Sequence, residues 1–277
     1  MGRMSGKVAL ITGAARGQGR AHAVRLAEEG ADIVALDLVG PIESVPYDLP
    51  DPRELDETVQ LVEALGRRMI ARRGDVRDQA VLDDLAAEAV AEFGSVDVVV
   101  ANAGIFSWGA SWLQSEQQWR EMIDINLTGV WHTVKAAVPL MLEAGRGGSI
   151  VITSSILGLR GAQQATSYSA AKHGVIGLTK SLAVELGPHR IRVNTVNPSN
   201  VATKMIQNDA VYKLFRPDAD GVPGEDEVAQ LMAASHPMGV PWVEARDVSD
   251  AVLFLASDES RFITGTSLPV DAGLLAR

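Results

Sequence analysis

Tyr168 and Lys172 stand four residues apart in SYSAAKHG, and Ser155 lies 13 residues before the tyrosine. On a helix, positions i and i+4 share one face, so the phenol and the ammonium are neighbours. A cation beside a phenol favours the phenolate and predicts a lowered tyrosine pKa. The tyrosine then becomes an acid–base group near neutral pH. Ser155 closes the apolar run SIVITSS (149–155) and can hydrogen-bond a substrate oxygen. A Tyr-x-x-x-Lys pair alone is common on helix surfaces; its weight comes from the residues upstream.

TGAARGQG (12–19) sits between an apolar run and a helical pattern. Gly13, Gly17 and Gly19 let the backbone turn tightly and approach a ligand, and the helix start offers free N–H groups to a pyrophosphate. Arg16 and Gln18 lie in the same loop. Asp37 follows Gly19 by 18 residues, about the offset at which an acid binds adenosine ribose hydroxyls. Its charge would repel a 2′-phosphate, which predicts NAD over NADP. Arg16 argues the other way, and Leu38 supplies no second cation. GDV (74–76) places Asp75 and Val76 to bracket the adenine. ANAG (101–104) puts Asn102, Ala103 and Gly104 at a strand's carboxyl edge, where ligands bind in such sheets. There Asn102 can brace the central strands and Gly104 permits close backbone approach.

The elements that must position these groups follow from patterning. Apolar runs KVALIT (7–12), ADIVALD (31–37), MIARRGD (69–75), VDVVVANAG (97–104 for its last eight residues), SIVITSS, IRVNTVNP (191–198) and TSLPVD (266–271) alternate with helical patterns. The helices are expected near 17–30, 53–66, 78–93, 115–145, 165–187 and 245–257. Near-continuous Val/Ile/Ala strands are covered on both faces and pair in parallel. Repeated strand–helix units predict a doubly wound α/β sheet of about seven strands, a Rossmann-type domain spanning 1–277. Residues 203–243 break the rhythm and read as a helical substrate flap. RPDADGVPGEDE within them reads as a solvated loop.

Bulk composition narrows the class. The net charge of −10 disfavours nucleic acid and anionic lipid as partners. No run reaches the ~18 apolar residues of a membrane span. The apolar stretch in MGRMSGKVALITGAARG is too short for a signal peptide and reads as the first strand. The absence of cysteine removes disulfides and thiolate chemistry and fits a cytoplasmic location. Five scattered histidines lack metal-ligand spacing. His173, beside Lys172, reads as packing; Trp108, Trp112, Trp119 and Trp131 could line a pocket, although core or subunit packing is the commoner fate of such residues.

Over essentially its full length the chain resembles the short-chain dehydrogenase/reductase family. The resemblance rests on TGAARGQG, Asp37, Asp75, NAG at 102–104, Asn126 in DINLTG, ITSS, YSAAK and NPSNVAT. It implies a catalytic tetrad of Asn126, Ser155, Tyr168 and Lys172. Asn126 would hold a water behind Lys172, and Lys172 would also hold the nicotinamide ribose. It implies Ser155 over Ser154 by spacing to the tyrosine, and nicotinamide contacts from Pro198, Val201 and Thr203. It also implies a homotetramer. Ser199 stands where glycine is frequent in the family, and Gln18 where an apolar residue is.

Residues 39–52 form an insertion that the family does not need, with Pro41, Pro46, Pro50 and Pro52. Prolines restrict a loop to few conformations, lowering the entropy lost when it packs. The loop starts at the ribose-binding acid and is expected to fold across the adenosine and slow NAD exchange. Together with HPMGVPWVEARDVSDAVLFLASDESRFITGTSLPVDAG, it resembles the mycofactocin-coupled subfamily, many of whose members are labelled carveol dehydrogenases. That resemblance implies a retained nicotinamide and an external redox carrier. The expected activity interconverts a small apolar secondary alcohol, such as a terpenoid, and its ketone. The flap residues Met205, Ile206, Leu231, Met232 and Trp242 support an apolar substrate. An ordinary keto-reductase with exchangeable cofactor and a catalytically silent NAD-binding sensor are the rival expectations.

Overall fold

Seven parallel strands lie in one sheet in the order β3-β2-β1-β4-β5-β6-β7. In a computed structural model, which describes residues 2–276, they are β1 (Val8–Thr12), β2 (Asp32–Asp37), β3 (Met69–Arg73), β4 (Val98–Ala101), β5 (Gly148–Thr153), β6 (Ile191–Pro198) and β7 (Ser267–Val270). The crossover helices are α1 (Gly17–Glu28), α2 (Pro52–Ala64), α3 (Gln79–Phe93), α4 (Glu116–Ile123), α5 (Gly129–Ala144) and α6 (Thr166–Leu186). Helices α7 (Asp209–Phe215) and α8 (Glu225–Ser235) fill the predicted flap, and α9 (Ala245–Ala256) precedes β7. The predicted strands and helices are present, with boundaries moved by at most three residues.

Strand alternation sorts the core. Leu10, Val34, Val99, Ile150 and Ile152 meet Leu82 and Leu85 of α3, Val134 of α5 and Val175 of α6. Their neighbours Ile11, Ile33, Val98 and Val151 meet Leu26 of α1, Val62 of α2 and Val252 of α9 on the other face. Each such fully buried side chain stabilises the fold by about 1.5–3 kcal/mol. Coverage on both sides explains why these strands read as unbroken apolar runs. β1 pairs with β2 on one side and β4 on the other. The chain reverses its direction of winding between them, and a crevice opens beyond their carboxyl ends.

Two local features bear on that crevice. The helical stretch predicted near 115–145 contains a π segment, Asp124–Thr128, between α4 and α5. Here the Gly129 N–H donates to the Asp124 carbonyl, a wider turn than the α-helix uses. Asn126 sits inside it, fully buried. Its Nδ2 donates to the carbonyls of Ile105 and Met122, at 3.1 and 3.2 Å, and its Oδ1 accepts from the Ile105 N–H at 3.1 Å. The flap has an apolar cluster of its own, in which Tyr212, Val228 and Met232 are packed by Ile206 and Trp242. A lone bridge between Val201 and Val243 closes its base.

Candidate active site

The glycine loop is shaped by contacts that no side chain could share. Gly13 has φ +72°, and a Cβ there would lie 2.8 Å from the Ala103 Cα. At Gly19 a Cβ would come within 1.9 Å of the Gly13 carbonyl oxygen. Arg16 precedes α1 without a side-chain cap, so the first N–H groups of the helix remain available to an anion. Gly19→Ala cannot be accommodated without moving the loop. We expect this variant to lose cofactor binding at least tenfold and to melt lower than the parent, checked by calorimetric titration and thermal melting.

A cavity of about 440 Å³ runs along this loop. Gly13, Arg16, Gly17, Gln18 and Gly19 line it, with Asp37 and Leu38 from the end of β2, Asp75 and Val76 after β3, and Asn102, Ala103 and Gly104 after β4. Asn102 ties three strands: its Nδ2 donates to the Thr12 carbonyl of β1 at 3.1 Å, and its Oδ1 accepts from Thr153 of β5 at 3.2 Å. The Asp37 carboxylate accepts from the N–H groups of Ala15 at 2.9 Å and Val39 at 3.2 Å. Burial raises its pKa, and those N–H groups offset part of the rise. Arg16 donates to the Asp48 carbonyl and lies 3.6 Å from Glu54. The cation that could have received a 2′-phosphate is therefore already engaged. Asp75 pairs with Arg77, whose Nε donates at 3.0 and 2.9 Å. Burial pushes the Asp75 pKa up, but the guanidinium outweighs it and leaves the pKa below the ordinary value. Gln18 leaves its buried Oε1 without a partner between this cavity and the next. The fixed acid, the uncapped helix start and the orphaned acceptor fit a dinucleotide with ribose and amide donors.

A second cavity, about 470 Å³, continues from the first. It collects Asn126, Ser155, Tyr168 and Lys172, with Pro198, Val201 and Thr203 on one side. The two serines of ITSS are separated by their bonds. The Ser154 hydroxyl donates to the Lys172 carbonyl at 3.1 Å, inside the fold. The Ser155 hydroxyl accepts from the Leu157 N–H at 3.1 Å and lines the second cavity together with Tyr168. Lys172 Nζ donates to the Thr153 carbonyl at 2.8 Å and lies 5.6 Å from the centre of the Tyr168 ring. A Cβ on Gly104 would lie 2.6 Å from Asn126 Oδ1 and 3.6 Å from Lys172 Nζ. The missing side chain keeps a gap between these two groups.

The electrostatics differ from the sequence expectation. Burial pushes the Tyr168 pKa up to about 12, with Ser155 lowering it only in part. Burial also draws Lys172 down to about 8. In the protein alone, desolvation of the phenol outweighs the neighbouring ammonium. Positive charge brought by a bound ligand would act in the opposite direction and favour the phenolate.

Several residues of the site were not anticipated. The insertion, here residues 38–51, forms a strap along the first cavity, where Tyr47, Leu49 and Pro50 join its lining. Phe106, Leu214 and Phe215 line the second cavity beside Met205 and Ile206. Of the other expected flap residues, Leu231 is exposed, while Met232 and Trp242 belong to the flap's own cluster. No tryptophan lines either cavity. Trp112 is 85% exposed, and Trp108 packs on Phe106 with centroids 5.5 Å apart. His173 is exposed and bonds the Ser169 carbonyl one turn back. No metal-binding cluster and no helix long and apolar enough to cross a membrane occur among the described residues.

Known proteins resemble the chain over its whole length. The family described as enoyl-(acyl carrier protein) reductase matches residues 13–275. A short-chain type dehydrogenase/reductase of Mycolicibacterium smegmatis is 53% identical over all of this chain and 99% of its own length. The (−)-trans-carveol dehydrogenase of Rhodococcus erythropolis is 53% identical, covering 99% of both chains. The crystal structure of carveol dehydrogenase from Mycobacterium avium in complex with NAD superposes with a TM-score of 0.98, at 54% identity and full coverage of both chains.

Proposed function

The chain belongs to the short-chain dehydrogenase/reductase family and is an NAD-dependent oxidoreductase; from that premise, we propose that it oxidises a small apolar secondary alcohol of terpenoid type while retaining its cofactor. Asp37 would hold the adenosine ribose, the glycine loop the pyrophosphate, and Pro198, Val201 and Thr203 the nicotinamide end. Bound NAD supplies the acceptor for the hydride that leaves the carbinol carbon. Ser155 orients the substrate oxygen, and Tyr168 as phenolate takes the hydroxyl proton. Lys172, with Asn126 across the gap kept by Gly104, passes that proton outward through water. The alcohol becomes a ketone, one hydride and one proton being removed.

Apolar residues of the second cavity, Phe106, Met205, Ile206, Leu214 and Phe215, favour a hydrocarbon-rich substrate. Exposed apolar side chains on α5 and α6, Trp131 and Val184, and beyond them Phe262 favour a homotetramer in which these faces are covered. A cofactor that does not leave must be reoxidised in place, and an external carrier of the mycofactocin kind would do this.

The strap carries the retention reading. It lines the cavity and bonds Arg16 through Asp48, and the helix that follows it, α2, is tied to the flap by Lys204, whose Nζ lies 2.9 Å from Glu54. The test uses protein purified without added cofactor, denatured and assayed for released NAD(H). We expect near-stoichiometric release, and turnover of carveol only when an artificial electron acceptor is present. Empty protein that turns over freely with added NAD would leave an ordinary dehydrogenase and end the retention reading.

A further inference from the structure

The strap reaches beyond the cavity it borders. Ile42 and Val45 pack on the main core. The Ser44 N–H donates to Glu121 at 3.3 Å, and Gln117 Nε2 donates to Glu43 at 2.9 Å, tying the strap to the α4 region. Between these anchors and the Arg16 bond, Tyr47 extends across the cavity. Its hydroxyl oxygen accepts from the Phe106 N–H at 3.0 Å. Phe106 lies on the loop after β4, and its ring meets the Tyr168 ring edge-on, with centroids 5.1 Å apart and planes at 79°. Tyr47 lines the first cavity and Phe106 the second. Val39, at the start of the strap, has φ +45°, a costly conformation for a β-branched residue. Such strain persists where the surroundings over-determine the backbone, as expected of a segment pinned at several points.

We propose that Tyr47 is a positioning residue that latches the strap to the loop after β4 and thereby holds Phe106 against Tyr168. Closure over the cofactor and the setting of the acid–base group are one mechanical event. The Tyr47 oxygen acts as acceptor in this bond, so its own proton stays free to donate to a ligand in the cavity it lines. The inference rests on reading the first cavity as the NAD site and Tyr168 as the acid–base group. The titratable groups that face Tyr168 are Lys172, on its own helix, and Tyr47.

Two variants of the full-length holoprotein separate the latch from the packing. Tyr47→Phe removes the acceptor of the Phe106 N–H and unlatches the loop after β4 from the strap, whose other anchors remain. The half-life of bound NAD on gel filtration should fall about tenfold, the effect of one lost hydrogen bond to a buried N–H. With Phe106 withdrawn, water reaches the Tyr168 hydroxyl and burial raises its pKa less. The rising limb of the pH profile for reduction of bound NAD by carveol should then move to lower pH. Phe106→Leu keeps the backbone N–H and the latch; NAD should stay bound while the limb moves in the same direction. A Tyr47→Phe protein that holds NAD as the parent does would overturn the latch. One that loses NAD with the limb unmoved would overturn the coupling. If the parent itself exchanges NAD freely, the retention reading fails alone. The latch then reads out as a tenfold rise in the Kd of added NAD in Tyr47→Phe, and an unchanged Kd overturns it.

Discussion

Tyr168→Phe will lower kcat by about 10³–10⁴-fold, the upper range for loss of a positioned acid–base group, and leave NAD content unchanged. The phenylalanine keeps the ring, its edge contact with Phe106 and the helix, and it removes only the hydroxyl. A full-length Tyr168→Phe protein purified beside the parent, assayed for released NAD and for carveol turnover, separates chemistry from binding. Catalysis within tenfold of the parent would remove Tyr168 from the acid–base role, and unchanged cellular function in that variant would favour the sensor alternative. The parent profile carries a second expectation. Burial holds the phenol near 12, so protein saturated with a neutral dinucleotide analogue should show no tyrosine ionisation near neutrality. Bound NAD, with its positive nicotinamide, should bring that ionisation down.

Lys172→Met will abolish turnover and stabilise the cofactor-free protein. The Lys172 side chain is nearly fully buried, and burial lowers its pKa from 10.5 to about 8. Holding it charged below pH 8 costs roughly 3 kcal/mol. Methionine fills a similar volume with no charge, but leaves the Thr153 carbonyl without its donor, at about 1–2 kcal/mol. A net gain of about 1–2 kcal/mol is expected at pH 7. The sign follows from linkage. Between pH 8 and 10.5 the unfolded chain binds the proton and the folded chain does not, so the parent gains stability as pH rises. The advantage of the variant should therefore shrink over that window. Thermal melts of both proteins at pH 7 and pH 10 test this, and a variant less stable than the parent at pH 7 would refute it. The comparison locates a stability cost inside the catalytic group itself.

What could be read from the sequence depended on how local the determining physics is. Strands such as VDVVVA and the loop TGAARGQG are legible because burial on both faces and tight backbone turns select residue types directly. YSAAK is legible because helical spacing alone makes Tyr168 and Lys172 neighbours. The π segment around Asn126 is not, since one extra residue in a turn leaves the apolar period almost unchanged. Tyr47 was hidden for a different reason. Its partner, the Phe106 N–H, is 59 residues away, and a backbone group has no residue identity to read. The direction of the Tyr168 pKa is not legible, because the lysine is visible in sequence whereas burial is a property of the folded surroundings. Among the flap residues, composition suggested an apolar wall but could not tell Met205, which faces the cavity, from Met232 and Trp242, which hold the flap together, or from Ile206, which does both.

The bridge between Val201 and Val243 gives the flap an evolutionary meaning. Everything between those two residues leaves and returns at one point beyond the carboxyl end of β6, and α7 and α8 carry a small core of their own. Lengthening such an excursion is cheap, about 0.6 kcal/mol for each doubling of the loop. Strand order, glycine loop and tyrosine helix lie outside it. Descendants of one ancestor can therefore exchange the part of this cassette beyond Thr203 and acquire new substrates while the tyrosine helix and the cofactor loop are inherited intact.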